Sequence, residues 1–433
     1  MRARFQRGQI IILTVLILVL GAGFLVFSMA SSRSIANQRA AETGAALAQT
    51  RQALMGWSAS RTPVTGSLTI RPGELPCPDM NNNGLDDDGS CSGGAIGRVP
   101  WKTLDIPEPV DGSGETLWYA IAGAFRYKNV NPQPITSDTQ GNLTVYHNSS
   151  ATVLTSKAIA VLFAPGPPVG AQSRGSTTAV CATTGTTIPR QNCAANYLEA
   201  TGGGNNAQTG GPFIQAETSV TFNDQVLAIT NADLMPIVEQ RVAREMMSLL
   251  QRYKIATGDY PWADRADGKS NGPPNGYNRA RFPCDAVDTL PVDWGSGGTP
   301  TLPDWLTNGC GNNGWASVVY YAVAKDELEN NGIDCSTCTA TTLNLTNTGM
   351  ADLCPFSSVP FACTLTDGLS GTADVILITP SAADGSTRDW PSADGDAITG
   401  YFEDAQNSDK ANDSYTIPAL STKLDHDRMF IMR

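Results

Sequence analysis

The chain has 433 residues, enough for two domains of ordinary size. Its 29 Lys and Arg stand against 41 Asp and Glu, a formal charge of −12, which argues against a sequence-independent nucleic-acid binder built on a cationic face. Charged residues make up only 16%, and 42 Gly and 27 Pro predict a chain rich in turns and strands with few long helices.

Taken in chain order, the first element is the uncharged run "IIILTVLILVLGAGFLVFSMA", residues 10–30, preceded by Arg2, Arg4 and Arg7. As a helix the run is long enough to cross roughly 30 Å of hydrocarbon. The arginines predict a cytoplasmic N-terminus and an exported remainder. The other reading is a cleaved secretory signal, since Ser28-Met29-Ala30 offers small residues for cleavage. The expectation carried forward is a single-pass anchor in a bacterial inner membrane, with the bulk periplasmic or at the cell surface. Residues 31–57 lack proline, and Ala36, Ala40, Leu47, Leu54 and Trp57 form an apolar stripe at helical spacing.

Next comes "ELPCPDMNNNGLDDDGSC", residues 74–91. Asp79, Asn81 and Asn83 followed by Gly84 match the opening of a calcium loop, in which alternate oxygens face one hard cation. Leu85 would add its carbonyl and Asp87 the ninth position. Ser90 stands where a bidentate Glu belongs, so Asp88 or Asp86 would substitute. The alternative is a solvated Asn/Asp/Gly turn between two linked cysteines.

Ten cysteines suit an oxidising compartment. Near-neighbour pairing suggests Cys77–Cys91, Cys181–Cys193 and Cys284–Cys310. Cys335, Cys338, Cys354 and Cys363 remain open between two disulfides, a zinc site and a redox pair. Catalytic signals are weak. The two histidines are His147 and His426, and no G-x-S-x-G occurs, so no enzyme activity is expected.

Internal echoes then reorganise the chain. "LPCPD" (75–79) recurs as "FPCDA" (282–286), and "TLWYAIA" (116–122) as "VVYYAVA" (318–324). "IAVLFAPG" (159–166) recurs as "DVILITPS" (374–381), "NYLEA" (196–200) as "GYFEDA" (400–405), and "FNDQVLAIT" (222–230) as "LDHDRMFIM" (424–432). Thr230 and Asp233 predict a capping box for a helix whose stripe is Leu234, Val238, Val242, Met246, Leu249, Leu250 and Tyr253, ended by Gly258. The expected divisions are residues 1–30, 31–230 and 231–433. The expected class is α+β: a transmembrane helix running into an amphipathic helix, then two modules. Each module would be one helix on a small antiparallel sheet with disulfide-stapled loops.

A basic tip, an uncharged helix continuing into an amphipathic one, and a cysteine-stapled sheet resemble type IV pilins and type II secretion pseudopilins. "RGQIIILTVLILVLGAGFLVFSMASS" is similar to the start of minor pilin-like proteins, and "GRVPWKTLDIP" and "DGSGETLWYA" resemble a group of prepilin-like bacterial proteins. The resemblance implies a structural subunit that assembles with other pilin-like subunits through its N-terminal helix, at a filament tip or start. It also implies processing after Gly8. Gln9 and Leu13 depart from the Phe or Met and the glutamate that prepilins carry, against a major filament subunit. The alternative is a stand-alone exported adhesion protein with a calcium-stabilised domain.

Overall fold

A computed structural model describes residues 7–60, 71–87, 91, 93–126, 134–264, 275–276, 278–284, 294–307, 314–328, 334–335, 342–347, 350–354, 364–367, 370–379, 414–417 and 428–433. For residues 7–33 and several short strands after residue 275 it gives the backbone path alone.

Helix α1, Arg7–Ser60, has 54 residues, about 81 Å at 1.5 Å per residue. Its C-terminal turns dock on the body, where Leu47, Thr50, Leu54 and Ser58 are buried one turn apart. Residues 34–42, including Ala36 and Ala40 of the expected stripe, are all exposed. Burial begins at Thr43, whose hydroxyl accepts the Gly112 N–H at 3.0 Å. Only glycine fits there, because a Cβ on Gly112 would overlap the Arg39 carbonyl oxygen.

The first sheet holds β1 (Ile96–Arg98), β2 (Trp118–Ile121), β3 (Leu143–His147), β4 (Ser149–Ala164), β5 (Phe213–Gln215) and β6 (Gln225–Thr230). β4 is central. β2 and β3 pair along one side of it and β6 along the other, all antiparallel, while β5 adds parallel to β3. Helix α2, Asn231–Thr257, follows directly. The Asp233 carboxylate accepts the Thr230 N–H at 2.8 Å, and Gly258 closes the helix in the left-handed region at φ 101°. The whole predicted stripe of α2, Leu234 to Tyr253, is buried.

The second half repeats this topology with β7 (Arg279–Arg281), β8 (Tyr320–Val323), β9 (Leu343–Asn347), β10 (Met350–Cys354), β11 (Thr364–Asp367), β12 (Gly371–Ala373), β13 (Val375–Thr379), β14 (Ser414–Ile417) and β15 (Arg428–Met432). β13 lies between β8 and β15 as β4 lies between β2 and β6. β12 pairs with β9, and β9 with β14 in parallel, as β4, β3 and β5 do. The hairpin β10–β11 is extra, and β10 runs parallel to β15 on its outer edge.

Three expectations need correction. The chain is sheet-rich, with two six-stranded sheets that mix parallel and antiparallel pairs, so the expected small antiparallel sheets under one helix each do not describe it. The halves also do not bury separate helices. α1 packs on α2, α2 contacts both sheets, and one continuous core runs from Leu47 to Met432. A helix with apolar residues around more than one face needs cover on several sides, and here both sheets supply it. Finally, among the described residues no helix is long and apolar enough to cross a membrane. The expected transmembrane anchor and single-pass inner-membrane placement are therefore withdrawn. The backbone of residues 10–30 is part of α1, and its side chains lie outside the described residues.

The echoes also shift register. Tyr119 donates its hydroxyl to the Pro76 carbonyl at 3.2 Å, and Tyr321 to the Pro261 carbonyl at 2.9 Å. Asp79 bridges Arg98, and Asp264 bridges Arg281. The partner of "LPCPD" is thus "YPWAD" at 260–264, whereas "FPCDA" follows β7 as "VPWKT" follows β1.

Candidate functional site

The acidic turn is built around Asp79, whose side chain is almost wholly buried at 2% exposure. Its carboxylate accepts backbone N–H bonds from Asn81 at 3.2 Å, Asn83 at 3.1 Å and Gly84 at 2.6 Å. Asp87 accepts from the Met80 N–H and from Asn81 Nδ2 at 2.6 Å, and Asn83 Oδ1 accepts the Leu85 N–H at 2.7 Å. Asp86 is tied to Thr103 by a backbone and a side-chain hydrogen bond. Gly84 sits at φ 82° with the Trp101 ring where its Cβ would be, 2.8 Å away, so the turn lies flat against Trp101 and Lys102. Cys77–Cys91 closes the base, with its Cα atoms 5.8 Å apart.

The structure therefore brings Asp79, Asn81, Asn83, Leu85 and Asp87 together, while Asp88 lies outside the described residues. The side-chain oxygens of Asp79, Asn83 and Asp87 accept N–H groups of the turn itself. Among the described residues no group of three or more His, Cys, Asp or Glu could hold a metal ion. The turn is hydrogen-bonded as an Asx-rich turn centred on Asp79.

Of the other predicted residues, Cys181 is bonded to Cys193 and Cys284 is disulfide-bonded. Cys310, Cys338 and Cys363 lie outside the described residues, and Cys335 and Cys354 are described in backbone only. Gly8 is the second residue of α1. His147 is exposed at the end of β3, with Asn148 Nδ2 at 3.3 Å from its Nε2; His426 lies outside the described residues.

Two polar clusters went unrecognised in the sequence. In the first, Glu199 accepts the N–H groups of Asn223 at 2.9 Å and Asp224 at 3.2 Å. Asp224 in turn accepts the Glu199 N–H at 2.8 Å and Asn206 Nδ2 at 2.9 Å. Each carboxyl group thus holds the other residue's backbone, clamping the 199–206 segment to the start of β6. Burial pushes both pKa values up, and for Asp224 the neighbouring Glu199 adds to the rise. The signal was present in the echoes: "NYLEA" and "FND" carry the two acids, and the matching segments hold Glu403 and Asp427.

In the second, the Arg98 guanidinium is buried against two rings, 5.0 Å from the Trp118 centroid and 4.6 Å from Tyr197. It donates to the Thr116 and Gln191 carbonyls, each at 3.3 Å. Desolvation lowers its pKa from the ordinary value. Both clusters hold loops to the first sheet. A cleft of about 250 Å³ lies beside the first turns of α2, lined by Ser137, Lys157, Met235, Glu239 and Arg428 among others. Glu239 is occupied there by the Ser137 hydroxyl, with Arg428 Nε 3.7 Å away.

No family model, no curated protein and no solved structure matches this chain.

Proposed function

We propose that this chain is a structural subunit of the minor pilin or pseudopilin kind, assembling with like subunits through α1 at the tip or start of a filament. The observation that carries the reading is the long helix α1, whose residues 34–42 are all exposed, with Ile35 the one large apolar residue among them at 52% exposure. A lone projecting helix gains little from its own propensity, since most helical stability in proteins comes from packing. Lateral contact with other helices would supply it. The disulfides and the hydrogen-bonded turn support the same reading, because they stiffen a body that works by shape. They also require maturation in an oxidising compartment.

The test is recovery of the full chain with sheared filaments from cells that make them. Co-purification is expected, with Ile35→Asp reducing it several-fold while the body melts unchanged. A chain absent from filaments that contain their other subunits sinks the proposal. Mass spectrometry of the mature N-terminus adds a second arm: a start at Gln9 is the expected product, and a start at Ser31 removes the first 24 residues of α1 and sinks assembly through the full helix.

A further inference from the structure

We propose that the outer edge of β6, residues 225–230, docks a short, extended, mostly apolar segment of another polypeptide, added as a strand parallel to β6. The inference does not depend on how α1 is used.

It comes from one mismatch between two sheets that otherwise agree strand for strand. In the second half, β15 is flanked by β13 on one side and β10 on the other. Asp352, Leu353 and Cys354 stand opposite Phe430, Ile431 and Met432 in parallel register. β10 belongs to the stretch between Asn347 and Gly371, inserted where β3 in the first half turns straight into β4 at Asn148. β6 pairs with β4 and, among the described residues, with no second strand.

The two ladders fix the equivalent positions. Leu162 lies opposite Tyr119 and Leu227, as Leu377 lies opposite Tyr321 and Phe430. Leu227, Ala228 and Ile229 therefore occupy the places that Phe430, Ile431 and Met432 hold beneath β10. The same chain thus shows what this edge accepts and in which direction.

The composition of β6 agrees. "QVLAIT" has no charge and no proline, the devices that usually protect a free edge from pairing. Leu227 and Ala228 are half-buried and packed on the core, so an arriving strand would extend an apolar surface already present. Strand addition of this kind takes its affinity from main-chain hydrogen bonds and its specificity from alternate side chains. The occupant is assigned to another polypeptide because, among the described residues, β10 is engaged on β15 and no other strand lies beside β6.

The probe is a fluorescent peptide of residues 347–355 with Cys354→Ser, added to the full-length protein. Hydrogen exchange and anisotropy are read together. Free protein should exchange outward-facing amides of 225–230 quickly, and saturating peptide should slow them at least tenfold. Ala228→Lys should weaken peptide binding at least tenfold. A peptide N-methylated at Ala351, Asp352 and Leu353 should lose binding to the unaltered protein, an arm that needs no variant to fold.

Four outcomes overturn the proposal. In the first, amides 225–230 are already protected in the free monomer. In the second, peptide protection falls only on 428–432, by displacement of the chain's own hairpin. Binding untouched by both Ala228→Lys and N-methylation is the third. The last is concentration-dependent dimerisation that protects 225–230 without peptide, which assigns the edge to a second copy.

Discussion

The two halves of the chain solve one corner in different ways. Where the helix hands over to the first strand, each half has a proline carbonyl held by a fully buried tyrosine, Tyr119 on Pro76 and Tyr321 on Pro261. Each has an Asp–Arg backbone bridge beside it. The residue after that proline is Cys77 in the first half, bonded to Cys91, and Trp262 in the second, buried at 5% exposure. Asp79 organises a long acidic turn through three N–H bonds, while Asp264 accepts the Cys284 N–H at 2.8 Å. The hydrogen-bonded frame is common, and what fills it is interchangeable between a covalent link and an aromatic ring.

The equivalence of the two corners breaks most visibly at the residue that fills each one. Trp262→Ala should cost about 3–5 kcal/mol, the usual range for deleting a buried ring, read as a drop in the urea midpoint. Joint replacement of Cys77 and Cys91 by serine, opening a link of sequence separation 14, should cost about 3 kcal/mol. If the tryptophan costs much less than the disulfide, the two are not equivalent fillers.

Asp79→Ala should cost about 2 kcal/mol, because three N–H groups, the buried one of Gly84 among them, lose their acceptor. Asp264→Ala, which removes the acceptor of the Cys284 N–H, should cost about 1–2 kcal/mol. Melts of the unaltered protein and of Asp79→Ala in calcium and in chelator test the cation: a calcium-dependent shift present only in the unaltered protein assigns calcium to the turn, and no shift in either refutes a stabilising site. Tyr119→Phe and Tyr321→Phe should each cost about 1 kcal/mol for one neutral hydrogen bond, and a large difference between them would show that the frames are not alike.

The smallest effect is on pH. Glu199 and Asp224 have raised folded-state pKa values, so the folded protein holds a proton that the unfolded chain releases. The stability this gives is complete below about pH 4 and is lost as pH rises through the raised values. Asp224→Asn should flatten the urea midpoint above about pH 4. Parallel profiles for variant and parent would rule out the pair as the source.

How much was legible in the residues varies by element. Helix α2 was fully readable, since Thr230, Asp233, the stripe and Gly258 are all local signals and all act as written. The stripe of α1 was partly right: Leu47 and Leu54 are buried and Trp57 packs on the core, while Ala36 and Ala40 follow the same period but are exposed. Periodicity marks a face that could be covered, and only the body decides how far cover extends.

The sequence by itself determined that the chain is duplicated, that strands outnumber helices, and that Cys77–Cys91 and Cys181–Cys193 are neighbours close enough to join. These follow from composition, repetition and short chain separation, which need no knowledge of distant contacts. Only the tertiary structure decided that "YPWAD" and not "FPCDA" answers "LPCPD", that both halves share one core around α2, and that the two acids of "NYLEA" and "FND" hold each other's backbone. Each of these joins residues far apart in the chain through hydrogen bonds or packing, and a linear pattern records neither the partner nor the direction of such a bond.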